Sequence, residues 1–390
     1  MNFKSIVEKH LEQAILLRHK IHQFPELGFE EFETAKTIIS FLEKHNIPYK
    51  ANIAKTGIIA TIEGAHVGKT VLLRADMDGL AIDEDPSHAL KSLVANKMHA
   101  CGHDGHTAGL ALAGVALHHI KDKLHGKVLL MFQPAEENFG GALPMIQEGV
   151  LQNVDAAFGC HLMGHIVENE AHTMAGAMMA APDEFSITVI GKGGHGGMPH
   201  TTIDPILIGA HIILGLQSIV SRSSDPFDPV VVSIGQVNAG SAFNVIPDTM
   251  KITGTVRTLN EITRLEVENK IKQISTNIAS SFYAKAEVEY IRKYPVLVND
   301  EAMVELAKRA FSKVLSKENV HELSQPMMGG EDFAFIAKEV PSAFVFVGIA
   351  KDIDHPVFHH HPSFEWDDKN IAVLAEGLAQ IAWDFLNETK

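Results

Sequence analysis

The order of the expected strands and helices predicts a larger α/β domain into which a smaller α+β domain is inserted. Up to about residue 180, short apolar strands alternate with helical patterns, which is typical of a largely parallel sheet covered by helices. Near Pro182 the pattern changes to β-α-β-β-α-β, the order of a ferredoxin-like unit. We therefore predict a larger domain formed by residues 1–182 and 296–390, with residues 183–295 as the inserted domain.

The elements of the larger domain are predicted from their hydrophobic periodicity. At the N-terminus, Val7, Ala14 and Ile21 recur on one helix face, among interspersed acids and bases. This composition is typical of an amphipathic helix and not of a signal peptide. The other elements predicted are strands over 56–64, 70–76, 126–134, 154–162 and 342–350, and helices over 106–120, 140–149, 299–317 and 368–386.

The inserted domain is predicted from four β-rich runs and two helical patterns. Pro295 follows the last run and closes the domain. In chain order, the elements are a strand over 183–191, a helix over 204–222, strands over 228–240 and 249–259, a helix over 261–282 and a strand over 286–294.

The bulk composition excludes several classes of protein. A formal net charge of −15 over 390 residues argues against a nucleic-acid partner, because such binders need a basic surface. No run of 18 apolar residues occurs, so we predict no membrane span. Two cysteines are too few for a disulfide scaffold and favour the cytoplasm. The 23 histidines cluster at 99–106, 195–200 and 355–361, which hints at metal or proton chemistry.

Candidate metal ligands follow several of the predicted strands. The carboxyl ends of the strands line the working crevice of an open α/β sheet, so we expect these side chains to converge there. Others lie just ahead of the helix that begins near residue 105. The candidates are Asp76, Asp78, Cys101, His103, Glu136, Glu137, His161 and the run His359, His360 and His361.

The types of these residues suit a pair of metal ions. Thiolate and imidazole favour zinc, while carboxylates widen the range to manganese, cobalt or nickel. Five or six ligands exceed the need of one tetrahedral ion, so we predict two ions, about 3.5–4 Å apart, that share a water. One of two adjacent glutamates can bind metal while its neighbour takes the proton of that water. Each candidate alone is more typical of ordinary surface or core, and only their combination favours a site. Cys160 would face away from His161 on a strand and is interpreted as core.

Several motifs, spread nearly from end to end, carry a family resemblance. They are "HQFPELGFEE", "LRADMDGL", "MHACGHDGH", "FQPAEE", "GCHLMG", "GKGGHGGMPH", "FNVIPD", "GTVRT", "MGGEDFAF" and "HHPSFEWD". Together they resemble the dinuclear metal amidohydrolases of the aminoacylase–carboxypeptidase metallopeptidase family, in the branch of hippurate hydrolase, N-acyl-amino-acid amidohydrolases and auxin-conjugate hydrolases. The resemblance implies a zinc-peptidase-like catalytic domain with an inserted lid and dimerisation domain.

The resemblance assigns roles to the candidate residues of the catalytic domain. Glu136 corresponds to the general base, and Asp78 to an aspartate that orients a ligating histidine. Asp76 stands where relatives carry a ligand-type histidine, so it is assigned a supporting role. The implied ligands are Cys101, His103, Glu137, His161 and His360, with His361 as the alternative to His360.

In the inserted domain the resemblance singles out three residues. His195 corresponds to a histidine that reaches the active site of the partner chain, which implies a homodimer or a tetramer formed through this domain. Asn244 and Arg257 correspond to residues that hold the substrate carboxylate. The guanidinium fork of an arginine suits that planar group because it can bind both oxygens.

The predicted function is metal-dependent hydrolysis of the amide bond of N-acyl amino acids, of the N-acetyl or N-benzoyl type. A small-molecule substrate would be cleaved to a carboxylic acid and a free amino acid. Alternatives with the same two-metal chemistry are an N-acetyl-diaminopimelate deacetylase and a dipeptidase or carboxypeptidase. A metal-dependent binding or storage protein is a further alternative. Glu136 argues against it, because a base that ligates nothing has no use in storage.

Overall fold

The computed structural model describes residues 1–387, and of Phe139 the backbone alone. The helices are α1 (Lys4–Gln23), α2 (Phe32–Lys44), α3 (His103–His119), α4 (Glu136–Phe139), α5 (Ala142–Gln147), α6 (Pro205–Ser218), α7 (Glu261–Ser281), α8 (Glu301–Leu315), α9 (Ala334–Glu339) and α10 (Asn370–Asn387). The strands are β1 (Tyr49–Ile53), β2 (Gly57–Glu63), β3 (His66–Asp76), β4 (His125–Gln133), β5 (Ala156–Val167), β6 (Ala171–Thr173), β7 (Gly176–Met179), β8 (Ala181–Ile190), β9 (Gly194–His195), β10 (Val230–Ala239), β11 (Val245–Ile246), β12 (Thr249–Thr258), β13 (Lys285–Ile291), β14 (Leu297–Asn299), β15 (Val320–Glu322) and β16 (Ser342–Ala350).

The described chain forms two compact units. The smaller unit contains Ala177–Leu297 and Gln325–Glu331, and the larger unit contains the rest. The sequence prediction placed the whole of 296–390 in the larger domain and did not foresee the second segment of the smaller unit. That segment is held by backbone hydrogen bonds, in which Ala180 N–H donates to the carbonyls of Met327 and Gly329 at 3.1 and 2.9 Å.

The larger unit is built on a mixed sheet. Among the described residues its strand order is β1-β2-β4-β3-β5-β16-β6-β15. The central strands β4, β3, β5 and β16 are parallel, as predicted. The flanking strands correct the prediction of a largely parallel sheet, because β2 runs antiparallel to β4 and β6 runs antiparallel to β16. Every residue of β16 is buried, which is typical of a central parallel strand covered on both faces.

Helix α3 lies in the core of the larger unit and carries candidate ligands at its first turn. Its residues from His103 to Leu117 are all buried. Small residues let its neighbours approach closely: a Cβ atom at Gly109 would lie only 2.5 Å from Cδ2 of Leu374 on α10. Gly102 precedes the helix with φ +87°, a conformation that glycine adopts without strain.

The smaller unit has the predicted β-α-β-β-α-β order and an antiparallel sheet. Its strand order is β10-β12-β8-β13. Alternate residues of β8, among them Phe185, Ile187 and Val189, are buried in a core that also contains residues of α6 and α7. The ferredoxin-like architecture predicted for the inserted domain is therefore confirmed.

Helix α6 continues into a π-helical turn (Ile219–Ser223), and the combined segment is unusually apolar. By length and composition alone, Pro205–Ser223 could cross a membrane, which the sequence prediction did not foresee. Ile208, Ile212 and Leu216 are buried in the core of the smaller unit, so core packing accounts for one face of the helix.

A buried charge network joins α1 to the first turn of α3. The His22 imidazole contacts Asp104 Oδ2 through Nδ1 at 2.8 Å and Glu84 Oε1 through Nε2 at 3.1 Å. Arg18 Nε donates to the same oxygen of Asp104 at 2.9 Å. Because both ring nitrogens of His22 face carboxylates, the doubly protonated form satisfies both contacts. Burial lowers the pKa of His22, but the hydrogen bonds to Asp104 and Glu84 outweigh it and raise the pKa to about 9.

We expect His22→Gln to reduce stability in a pH-dependent way. The folded-state pKa of about 9 lies above the ordinary value of 6.5, so the stabilisation is complete below pH 6.5 and is lost as the pH rises through 9. This difference corresponds to roughly 3 kcal/mol. Urea unfolding of wild type and variant between pH 6 and pH 9.5 measures it, with His200→Gln at an exposed histidine as the control. A wild-type advantage that stays constant with pH would contradict the assignment.

Candidate metal centre

The candidate ligands of the larger unit lie where the central strands end. Asp76 is the last residue of β3, and Glu136 begins α4 three residues after β4 ends at Gln133. His103 is the first residue of α3. The carboxyl ends of neighbouring parallel strands share one edge of the sheet, and this brings distant segments of the chain together.

Two groups of potential ligand atoms share Cys101. Cys101, His103 and His161 form one group, in which one atom from each residue lies within 4.8 Å of the others. Cys101, Glu137 and His360 form a second such group. Cys101 Sγ lies 3.4 Å from His161 Nε2, and Glu137 Oε1 lies 3.3 Å from His360 Nε2.

The second carboxylate of the glutamate pair lies beside these groups. Glu136, Glu137 and His103 form a further group of potential ligands. Glu136 is buried, and its Oε1 accepts a hydrogen bond from Asp332 N–H at 3.3 Å.

Two buried ligand atoms support a metal ion at this position. His103 Nε2 and Glu137 Oε1 lie 3.7 Å apart, and neither has a hydrogen-bond partner among the described residues. A buried polar atom without a partner costs about 1–3 kcal/mol. Cations bound at these two atoms would satisfy both of them, and the sulfur, nitrogen and oxygen donors suit borderline-soft divalent ions.

The electrostatics of the pocket also favour a cation. Burial, and then the Glu137 and Glu136 carboxylates, hold the pKa of the Cys101 thiol well above its usual range. Burial lowers the pKa of His103, but Asp76 and Asp78 outweigh it and raise the pKa to about 10. Both groups must lose a proton to bind a metal, so metal binding is coupled to proton release. For His161, burial holds the pKa well below its ordinary value, which leaves this imidazole neutral and able to bind.

Asp78 connects the segments that provide these ligands. Its Oδ1 contacts His103 Nδ1 at 3.2 Å and accepts from Glu136 N–H at 3.1 Å, and its Oδ2 accepts from Glu137 N–H at 3.1 Å. The contact with His103 is the one that an orienting carboxylate would make.

Asp76 is held by two partners that sequence reasoning did not assign. Its Oδ2 accepts from Arg74 Nη1 at 2.6 Å, and its Oδ1 contacts His106 Nδ1 at 2.6 Å. Burial opposes ionisation, yet the charges of His103, Arg74 and His106 hold the pKa of Asp76 well below its ordinary value. Leu162 N–H donates to His106 Nε2 at 2.9 Å, so His106 positions the backbone next to His161. Both Arg74 and His106 lie within the quoted motifs, which is the signal that could have identified them.

Further buried polar residues support the loop after β4. Arg74 Nη2 and Gln133 Nε2 donate to Asp332 Oδ1 at 2.7 and 2.8 Å. Glu31 accepts from Ala135 N–H at 2.9 Å, and burial raises the pKa of this carboxyl to about 7. Glu31 and Asp332 also belong to quoted motifs, but nothing in their local sequence indicated these partners.

The three consecutive histidines have different surroundings. His360 Nε2 faces Glu137, in the second ligand group. His361 Nδ1 accepts from Ser363 N–H at 3.2 Å. His359 Nε2 donates to the carbonyl of Leu162 at 2.8 Å, and burial lowers its pKa to about 4. The geometry favours His360 over His361 as the ligand. Cys160 is buried, as its interpretation as core predicted.

His195, Asn244 and Arg257 all belong to the smaller unit. His195 lies in β9 and pairs with Val245 of β11, so it is adjacent to Asn244, whose carbonyl accepts from Gly196 N–H at 2.8 Å. Arg257 lies in the separate four-stranded sheet, half-buried, and its Nη1 donates to the carbonyl of Val256 at 3.0 Å. Burial lowers the pKa of its guanidinium, against the opposing effect of Asp183 and Glu184.

The arrangement of these groups at the end of a parallel sheet defines a metallohydrolase. The chain belongs to peptidase family M20/M25/M40, whose model matches residues 72–384. It is 40% identical to an IAA-amino acid hydrolase of Arabidopsis thaliana over 96% of this chain and 86% of that protein. It is 38% identical to the hippurate hydrolase of Campylobacter jejuni over 95% of this chain and 96% of that protein. A solved Bacillus subtilis structure, of a dinuclear metal binding peptidase from the M20 family, superposes with a TM-score of 0.85 at 34% identity, covering 98% of this chain and 100% of that one. The family resemblance in the motifs is confirmed.

We expect Arg74→Met to destabilise the protein strongly, because it would leave Asp76 and Asp332 without their shared buried cation. Removal of one partner from a buried ion pair costs about 3–5 kcal/mol. Lys308→Met is the matched control, since Lys308 pairs with Glu305 at the surface at 2.9 Å and such pairs contribute at most about 1 kcal/mol. Chemical denaturation measures both, and an equal loss in the two variants would contradict the importance of the buried pairs.

Proposed function

We propose that this protein is a two-metal amidohydrolase that removes the acyl group from N-acyl amino acids of the N-acetyl or N-benzoyl type. The observation that carries the proposal is the pair of ligand groups that share Cys101, with the Glu136 carboxylate beside them. The similarity to a hippurate hydrolase and to an IAA-amino acid hydrolase supports this substrate class.

The proposed cofactors are two divalent ions per chain, of zinc, manganese, cobalt or nickel. When bound, such ions would polarise the acyl carbonyl and lower the pKa of a water molecule. Cys101 as a shared ligand requires a reduced thiol, which agrees with the proposed cytoplasmic location. The proposed ligands are Cys101, His103, Glu137, His161 and His360, with Asp76 and Asp78 in supporting positions.

We assign Glu136 as the general base. Its carboxylate is buried and accepts a hydrogen bond from Asp332 N–H, which limits its orientations. From this position it would take the proton of the attacking water and deliver it to the leaving amine. Its neighbour Glu137 belongs to the ligand group, so the two carboxylates have separate roles.

His195 is proposed to stabilise the negative charge that develops on the carbonyl oxygen of the substrate. Gly197 N–H donates to His195 Nδ1 at 2.9 Å, so the neutral imidazole carries its proton on Nε2. That N–H is a donor on an exposed residue, which suits a group that meets a substrate held by a second chain. Asn244 and Arg257 are proposed to bind the substrate carboxylate.

The surface of the smaller unit supports a homodimer. On α6, the face opposite the core exposes Leu207 and Leu214, whose exposed fractions are 51% and 70%. These residues are seven positions apart and therefore lie on one stripe of the helix. An exposed apolar stripe favours packing against a second copy of the chain.

We expect Glu136→Gln to abolish hydrolysis, by about 10²–10⁴-fold or more, because an amide cannot act as the base. Its metal content should match that of the wild type, since Glu136 is not assigned as a ligand. Cys101→Ser is the contrasting variant and should lower the metal content, because a neutral hydroxyl replaces a thiolate. A release assay over N-acetyl and N-benzoyl amino acids, with elemental analysis of each protein, measures both effects.

Three outcomes of that experiment would contradict parts of the proposal. Near-wild-type turnover of Glu136→Gln would remove Glu136 as the base. Unchanged metal content in Cys101→Ser would remove Cys101 from the site. Failure of the wild type to cleave any member of the panel, with metals bound, would contradict the proposed substrate class.

We expect Arg257→Ala to raise KM for substrates with a free carboxylate. The same change should have much less effect on their methyl esters, because an ester cannot form the bidentate ion pair. Arg222→Ala, at an exposed arginine of the same unit, is the control. Steady-state kinetics with paired acid and ester substrates checks this, and equal damage to both would indicate a structural arginine.

Mixed dimers test whether His195 acts in the partner's site. Homodimers of Glu136→Gln and of His195→Ala should both be nearly inactive. A heterodimer of the two would contain one site with both defects and one intact site, and should recover up to about half of the activity per dimer. If mixed dimers stay as inactive as their parents after verified subunit exchange, His195 does not act across the dimer.

A further inference from the structure

We propose a second, peripheral metal site formed by Glu170, His172 and His321, which takes one divalent transition-metal ion such as zinc. It is separate from the candidate centre and uses none of its residues. The proposal does not depend on the proposed function, because it concerns metal binding at different side chains.

The pairing of two short strands creates the site. Strands β6 and β15 are parallel, and their register places His321 directly opposite His172. The two imidazole rings therefore lie on the same face, with centroids 4.9 Å apart and planes inclined by 47°. Glu170 stands two positions before His172, and successive alternate residues of an extended chain share a face.

The backbone holds Glu170 in this position. Its N–H donates to the carbonyl of Val167 at 3.2 Å, and its own carbonyl accepts from Gly348 N–H at 2.9 Å. The turn between β5 and β6 is thus fixed at both peptide groups of this residue. The carboxylate is presented toward the two imidazoles without a need for rearrangement of the chain.

The distances within the cluster suit a bound ion. Glu170 Oε2 lies 3.0 Å from His172 Nε2, and Glu170 Oε1 lies 4.0 Å from His321 Nε2. One ligand atom from each of the three residues lies within 4.8 Å of the others. Ligand atoms about 2.1 Å from a tetrahedral ion are separated by about 3.4 Å, which falls between the two measured distances.

A hydrogen bond alone explains only part of this arrangement. It accounts for the contact between Glu170 and His172, but 4.0 Å is too long for a hydrogen bond from His321. A metal ion would be bound by both imidazoles together with one or both carboxylate oxygens of Glu170. Two histidines and one glutamate form a known zinc ligand set that leaves a position for water.

The three side chains are accessible enough for an ion to enter. The exposed fractions are 21% for His172, 42% for His321 and 31% for Glu170. Strand β15 is the last strand of the sheet and only three residues long, so it has few hydrogen bonds of its own. An ion that joins His321 to Glu170 and His172 would fasten this edge strand to its neighbour.

The site is distinct from the candidate centre although it lies in the same sheet. Phe346 of β16 pairs with His161 on one side and with His172 on the other. Two strand spacings therefore separate the backbones of these histidines by about 10 Å. The fully buried Phe346 lies between them, so the two sets of ligands do not share an ion.

The test counts the ions bound per chain. Wild type and variants are equilibrated with zinc by dialysis, and the bound metal is measured by elemental analysis together with the melting temperature. The double variant H172A/H321A should hold one ion per chain fewer than the wild type. It should also lack the rise in melting temperature that binding of this ion causes in the wild type. Glu170→Gln keeps the size of the side chain and an acceptor oxygen, and should weaken binding of this ion at least tenfold.

His125→Ala is the matched control. His125 also pairs across two parallel strands with another histidine, His66, with ring centroids 4.3 Å apart. This variant should keep the full metal content. It tests whether the loss of any cross-strand histidine is enough to lower the metal content. Equal zinc content and equal zinc-dependent melting in wild type, H172A/H321A and Glu170→Gln would overturn the proposal.

Discussion

The carboxylate of Asp78 joins the two chain segments on which the candidate centre depends. It contacts the ring of His103 at the start of α3, and it accepts the backbone N–H groups of Glu136 and Glu137 after β4. The relative position of an imidazole and two carboxylates is therefore set by one side chain that emerges just beyond β3. A shift of either segment would break charge-assisted hydrogen bonds in a buried site, where such a loss is costly.

An excess of buried negative charge is the second constraint. The Arg74 guanidinium balances the negative charges of Asp76 and Asp332. The carboxylates of Glu136 and Glu137 add further negative charge next to the Cys101 thiol. Burial, reinforced by this negative charge, holds the pKa of the Cys101 thiol well above its usual range, and Asp76 and Asp78 outweigh burial and raise the pKa of His103. Divalent cations relieve both effects, because they replace the protons and satisfy the unpaired ligand atoms. The buried carboxylates therefore contribute both to the shifted pKa values of Cys101 and His103 and to the proposed binding of cations.

Much of the candidate site could be predicted because the loops after parallel strands meet at one sheet edge, which placed Cys101 and Glu137 near each other. Other features depend on contacts that local sequence does not encode. Arg74 forms an ion pair with Asp332, which lies 258 positions away in the sequence. His360 differs from its neighbours in its backbone conformation, with φ +56°. Strands β6 and β15 are too short for a periodic pattern. The directions of β2 and β6 depend on chain connections and not on their own residues, so the predicted sheet was too uniformly parallel.

The most direct test of the account is the position of the ions relative to Cys101. Crystals of the zinc-loaded protein, measured at the zinc absorption edge, would reveal each ion by its anomalous scattering. We expect two ions in the candidate centre, each about 2.3 Å from Cys101 Sγ. One would also be bound by His103 and His161, and the other by Glu137 and His360. A single ion in this centre, or two ions of which neither is bonded to Cys101, would contradict the account.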